Sequence, residues 1–282
     1  MAALISYLFY FVAATASPLQ RRHLALKRSN DKGQIDFAFR VMFITVVLSS
    51  VLAIFKHPEI KESLTTIALL AAACGLFGAT ALGTQYIAQR HVEAGLTSLV
   101  GNLYTPTAII LASLFLHERL KHLQILGTII LLFSVVLLSN KHRLSRWRLD
   151  RYFWLMVLSG ISLGIVLTTE RALIKSNGIT SGTWISWGSQ ALFLAIVAFG
   201  SKSKSQYNIR DTAVTGILRF FQQVSWVILV TVVGNLSLVS AITTFKIVLI
   251  FVTAAIFLKV REDLKRKVAG SIIAVVGLLL MA

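Results

Sequence analysis

Runs of about twenty apolar residues recur along the whole 282-residue chain, and most of its charges fall in the breaks between them. Twenty residues is about the length a helix needs to cross a ~30 Å hydrocarbon core. The stretch 102–139 shows the pattern: two segments apolar on all sides, hinged on His117-Glu118-Arg119-Leu120-Lys121-His122. A soluble core helix hides only one apolar stripe. Charged residues make up 14% of the chain, against roughly a quarter in globular domains. The bilayer is therefore the solvent for this chain.

Ten spans are expected, at 2–18, 36–55, 64–88, 94–116, 122–139, 152–172, 180–199, 211–233, 236–258 and 266–282. The first is read as a retained span, because Arg21-Arg22 follows the apolar stretch where a signal peptide would place basic residues before it. Cys74, the single cysteine, excludes an intrachain disulfide. All six histidines lie in or beside predicted loops, leaving no histidine metal site at membrane depth. Of the 28 Lys and Arg, 20 fall on one side of the predicted spans and 6 on the other. The positive-inside rule places the richer side in the cytoplasm and both termini outside. The formal charge of +17 is thus read as loops meeting anionic lipid, not as a nucleic-acid surface.

The chain also repeats itself. His117-Glu118-Arg119-Leu120 leads into a span with Gly127, and Arg261-Glu262-Asp263-Leu264 into one with Gly270; Lys27-Arg28-Ser29-Asn30 is similar to Ile174-Lys175-Ser176-Asn177. Two copies, 1–140 and 151–282, would hold five spans each. An odd number forces them to insert in opposite directions. The expected fold class is an all-α polytopic membrane protein with ten transmembrane helices as two inverted five-helix repeats. Secondary transporters are commonly built this way.

Particular residues then carry a family likeness. Tyr86 and Ala88 end the third span, Ala94 opens the fourth, Pro106 lies within it, Glu118-Arg119 closes it, and Gly127 sits in the fifth. This resembles the EamA domain of the drug/metabolite transporter superfamily. The second copy departs from the pattern, with Lys246 and Ile247 where a proline is expected and Glu262-Asp263 without the arginine. The resemblance implies an exporter or exchanger of small solutes, with a cavity lined by the third, fourth, eighth and ninth spans. It implies no bound cofactor, and no phosphate-binding G-x-x-x-x-G-K-[ST] sequence occurs.

Candidate site residues are the polar groups at membrane depth. Charges there are costly and usually functional. Lys246 is placed mid-span, Arg219 a third of the way into the eighth span, and Glu170 near the end of the sixth. Gln222, Gln223 and Trp226 follow Arg219 at helical spacing; Gln85, Tyr86, Asn102 and Tyr104 supply further polar groups. Each has a plainer reading. Arg219 and Glu170 could snorkel or pair at the interface, and Pro106 could be a simple kink. Gly160-Ile161-Ser162-Leu163-Gly164 fits the nucleophile-elbow spelling but lies in a span with no histidine at that depth, so Gly160, Gly164 and Gly75, Gly78, Gly83 are read as helix-packing positions.

The reading is a secondary transporter, not an enzyme, moving a small metabolite by alternating access across a bacterial-type plasma membrane. Lys246 and Arg219 favour an anionic solute, and Glu170 is the candidate coupling group. The expected partners are that solute and the lipid bilayer, without nucleic acid; pairing with a second copy as a homodimer stays open. The rivals are a non-transporting receptor or scaffold and, less well supported, a membrane enzyme.

Overall fold

The computed structural model describes residues 2–27, 31–55, 60–116, 122–139, 151–202, 204–233, 243, 245–257 and 264–280. The described helices are α1 (Ala2–Leu26), α2 (Lys32–Phe55), α3 (Leu64–His91), α4 (Ala94–Gly101), α5 (Tyr104–Leu116), α6 (His122–Ser139), α7 (Arg151–Gly200), α8 (Ile209–Val233), α9 (Lys246–Phe257) and α10 (Leu264–Leu280). The turns at Glu118-Arg119 and Glu262-Asp263 lie outside the described residues.

The ten-span, two-repeat expectation is corrected here. Among the described residues, four helices are long and apolar enough to cross a membrane: Gly33–Val51 within α2, α3, α7, and Ile209–Leu229 within α8. The chain is an integral, multi-pass membrane protein, but not ten transmembrane helices in two inverted five-helix repeats.

Local chemistry accounts for part of the difference. The predicted fourth span breaks into the 8-residue α4 and the 13-residue α5. Pro106 has no N–H to give the Asn102 carbonyl, four residues back. That carbonyl accepts instead from Thr105 N at 3.0 Å, and Leu103 N turns back to Val100 O. These tight three-residue bonds end one helix and start the next. In the ninth, the described helix is only the 12 residues of α9.

The predicted sixth and seventh spans run together as the 50-residue α7, whose continuity fails at Gly178 with φ 79° and ψ 165°. This left-handed conformation suits glycine. The chain reverses there: Ser186 Oγ lies 3.1 Å from the Glu170 carboxylate, sixteen residues away, where a straight helix would separate them by about 24 Å.

Packing follows the small residues. α3 lies along α7, α1 along α8, α6 along α10, and α9 against α4. A Cβ on Gly164 of α7 would sit 2.9 Å from Tyr104 O and 2.6 Å from Thr107 Cβ of α5. Gly75 and Gly78 approach Phe193 and Gln190 as closely, but Gly83 has nothing within 4 Å and is not a packing position. One core joins Phe37, Met42, Leu82, Tyr86, Trp187 and Leu194; another joins Leu99, Leu131, Met156, Ile247, Phe251 and Leu278. Large apolar side chains such as Leu8, Leu69 and Phe199 are left on the outside, as lipid contact requires.

Candidate functional site

Helix α8 sorts its residues by face. Val214, Ile217, Phe221 and Ile228 are exposed. At 100° per residue, Arg219, Gln222, Gln223 and Trp226 cluster on the opposite side. The polar residues therefore point inward, towards α1 and α2. On α1, exposed Leu4, Leu8 and Val12 oppose a buried stripe of Tyr10, Ala14, Ser17 and Arg21.

Two groups form where these faces meet. The first gathers Arg219, Arg21, Gln85, Tyr86 and Glu170. Arg21, only 5% exposed, donates through Nε to Ser17 O at 3.3 Å and through Nη1 to Gln85 Oε1 at 3.4 Å. Its guanidinium carbon lies 5.0 Å from the centre of the Tyr86 ring. Tyr86, Arg21 and Glu170 are the ionisable groups that act on Arg219. Glu170 is held in the α7 hairpin, accepting from Ser186 Oγ. Tyr86 lies within side-chain hydrogen-bonding reach of Arg219, whereas buried Arg219 Nε, Ser17 Oγ and Gln223 Oε1 have no hydrogen-bond partner among the described residues.

The second group surrounds Lys246, which opens α9 where the sequence reading had it mid-helix. Its Nζ donates to Tyr10 Oη at 3.0 Å, and the Tyr10 ring packs 5.9 Å from that of Trp226. Tyr104 lies within the field of Lys246 and Tyr10. Asn102, 1% exposed, gives Nδ2 to Ser98 O and keeps an unpartnered Oδ1 at the α4–α5 break.

The structure thus brings Gln85, Tyr86, Arg219 and Glu170 together, and sets Lys246, Trp226 and Tyr104 in a second group around Tyr10. Sequence reasoning missed Arg21 and Tyr10. Arg21 had been placed in a loop. The available signal was its position four residues after Ser17 and eleven after Tyr10, on one helical face.

Residues 1–140 match the model of the EamA-like transporter family. The first half of the chain is an EamA-like transporter domain. A solved crystal structure of a protein is similar to the whole chain, with a TM-score of 0.61 at 15% identity over 98% of this chain and 97% of that one. At that identity the likeness shows the fold alone. No curated protein matches the chain. The EamA-like domain supplies Tyr10, Arg21, Gln85, Tyr86, Asn102 and Tyr104, while residues beyond it supply Glu170, Arg219, Gln222, Gln223, Trp226 and Lys246.

Polar side chains also link the ends of helices, within the EamA-like domain and from it to Tyr152 and Lys267. Asp31 accepts from Arg90 at 2.6 Å, His91 at 3.0 Å and Tyr152 at 3.2 Å, and His91 stacks on Tyr152. Burial pushes the Asp31 carboxyl up, but His91 and Arg90 outweigh it and hold the group below its ordinary range. Lys267 pairs with Glu93 at 2.8 Å, beside Arg22, which donates to the Gln89 and Arg90 carbonyls. Among the described residues no group of His, Cys, Asp and Glu could hold a metal ion.

Proposed function

We propose that the protein is a secondary transporter of a small metabolite, working by alternating access, with an anionic solute as the cargo the interior favours. The observation that carries this is the pair of inward polar groups. Three cations, buried Arg21 and half-buried Arg219 and Lys246, face the helix bundle, with half-buried Glu170 as the acid nearest Arg219. A membrane protein that only scaffolds gains nothing from charges that cost several kcal/mol to bury. The EamA-like match over residues 1–140 supports transport as their purpose.

In this reading Lys246 and Arg219 attract the solute, Gln85, Gln222, Gln223, Asn102 and Tyr104 hydrogen-bond it, and Tyr86 and Trp226 form walls. Glu170 beside Arg219 is the coupling group, able to take a proton when the solute leaves. The test is solute counterflow in proteoliposomes over a panel of anionic, neutral and cationic metabolites. An anionic member should exchange, and Lys246→Gln should abolish that exchange without lowering protein abundance. Absence of counterflow for every member, in protein that remains folded, would favour the scaffold reading.

A further inference from the structure

We propose that Arg21 and Arg219 form a two-guanidinium fork that binds a single carboxylate group of the cargo, an inference that rests on the transport reading above. A guanidinium carries five N–H donors. Arg21 spends one on Ser17 O and one on Gln85 Oε1, both at long distances of 3.3 and 3.4 Å, and lays its face over Tyr86. The rest meet no acceptor among the described residues. Arg219 lies within side-chain hydrogen-bonding reach of Tyr86, and its buried Nε is unpartnered. A hydroxyl in the same group, Ser17 Oγ (residue 1% exposed), is likewise unpartnered. A group built only to hold the helices together would close these donors on carbonyls, since an unmet buried donor costs about 1–3 kcal/mol, and a charged one more.

Charge decides what fills the fork. Arg21 and Arg219 carry two positive charges and Glu170 one negative. Glu170 does not close an ion pair with Arg219 and takes the Ser186 hydroxyl instead. With Glu170 ionised, as the transport reading has it while the solute is bound, the group is one positive charge in excess. A monoanion neutralises it, a phosphate dianion overshoots, and a cation is repelled. Shape agrees with charge, because parallel guanidinium N–H bonds match the two coplanar oxygens of a carboxylate. Arg21 reaches the same ligand from α1 as Arg219 does from α8, two helices that pack along one another. Lys246 belongs to the second group, where it donates to Tyr10.

The experiment uses the full chain purified in detergent, with acetate, lactate and benzoate as probes. Controls are benzamide, inorganic phosphate and chloride at equal ionic strength. At least one monocarboxylate should raise the melting temperature, while benzamide and phosphate should not. Arg21→Gln and Arg219→Gln should each weaken that monocarboxylate by about tenfold or more, the loss of a charge-assisted pair. Arg21→Lys should recover only part, since it restores charge without the fork. If Arg21→Gln does not fold, Arg219→Gln reads the same site. An unchanged affinity in either folded variant, no shift with any monocarboxylate, or equal shifts with phosphate or benzamide overturns the fork. Counterflow separates this failure from that of the transport reading. Wild-type exchange that Arg21→Gln leaves intact removes the fork and keeps the transporter. Carboxylate-dependent stabilisation without any exchange keeps the fork and removes the transporter.

Discussion

Two glycines should respond oppositely to the same substitution, and the structure sets both signs. Replacing glycine by alanine inside a helix gains up to about 1 kcal/mol from backbone entropy. At Gly83 nothing lies within 4 Å of the added Cβ, so Gly83→Ala should keep that gain. At Gly164 the Cβ would meet Thr107 Cβ at 2.6 Å, Thr107 Cγ2 at 2.8 Å and Tyr104 O at 2.9 Å. None of these is the free end of a flexible side chain, so α5 must move away from α7. Overpacking of this kind costs about 1–3 kcal/mol. Net of the entropy gain, Gly164→Ala should lose about 1–2 kcal/mol, a fall of roughly 3–6 °C in melting temperature at the scale of large domains. Because the displaced backbone carries Tyr104, transport should fall further than abundance does. The assay is a thermal-melt comparison of the two variants in one detergent, followed by counterflow. Equal melting temperatures, or a loss at Gly83 as large as at Gly164, would refute the packing argument.

Glu170→Gln should uncouple uptake from a pH gradient while leaving solute exchange in place; exchange lost together with uptake would remove Glu170 from coupling. Asp31 has a folded pKa below its unfolded value of about 3.9, so its contribution is full above that value and is lost as pH falls through the folded one. Asp31→Asn should therefore melt below the wild type near neutrality, and the gap should close under acid; a gap that widens under acid would reverse the assignment. Cysteines placed at Lys204 and Glu62 in a Cys74→Ala background should differ in intact cells, with Glu62 labelled by impermeant thiol reagents and Lys204 protected. The reverse pattern would overturn the orientation drawn from the basic residues.

The polar residues that the structure draws together were legible because charge and amide at membrane depth are conspicuous against hydrocarbon. Arg219, Gln222, Gln223 and Trp226 stand out by spacing alone, and the structure puts all four on one inward face of α8. Segment type was legible as well. Span count was not, because hydropathy averages over a window and is blind to where hydrogen bonds stop. The apolar run at 94–116 reads as one span, yet a single missing donor at Pro106 divides it at Asn102-Leu103. Conversely, the polar Ser176-Asn177-Gly178 stretch between two apolar runs reads as a loop. In the structure helix continues to its edge, and only Gly178 departs from helical geometry.

Arg21 shows a harder limit. Its local sequence, Pro18-Leu19-Gln20-Arg21-Arg22, looks like the end of a span: a proline, then paired basic residues of the kind that mark a cytoplasmic loop. The positive-inside count therefore absorbed it as an orientation signal. The two arginines in fact diverge, because neighbours one apart on a helix point about 100° away from each other. Arg22 turns to the carbonyls that end α3, in the manner of a cation at a helix C-terminus. Arg21 turns inward over the Tyr86 ring, where its charge acts on Arg219. Which of the pair is buried depends on the partners that α3 and α8 bring from 64 and 198 residues further along the chain. No window around residue 21 contains that information. An arginine pair at the predicted edge of a span is thus two separate questions, and helical phase relative to the nearest buried polar residue, here Ser17 four positions earlier, is the part of the answer a sequence can offer.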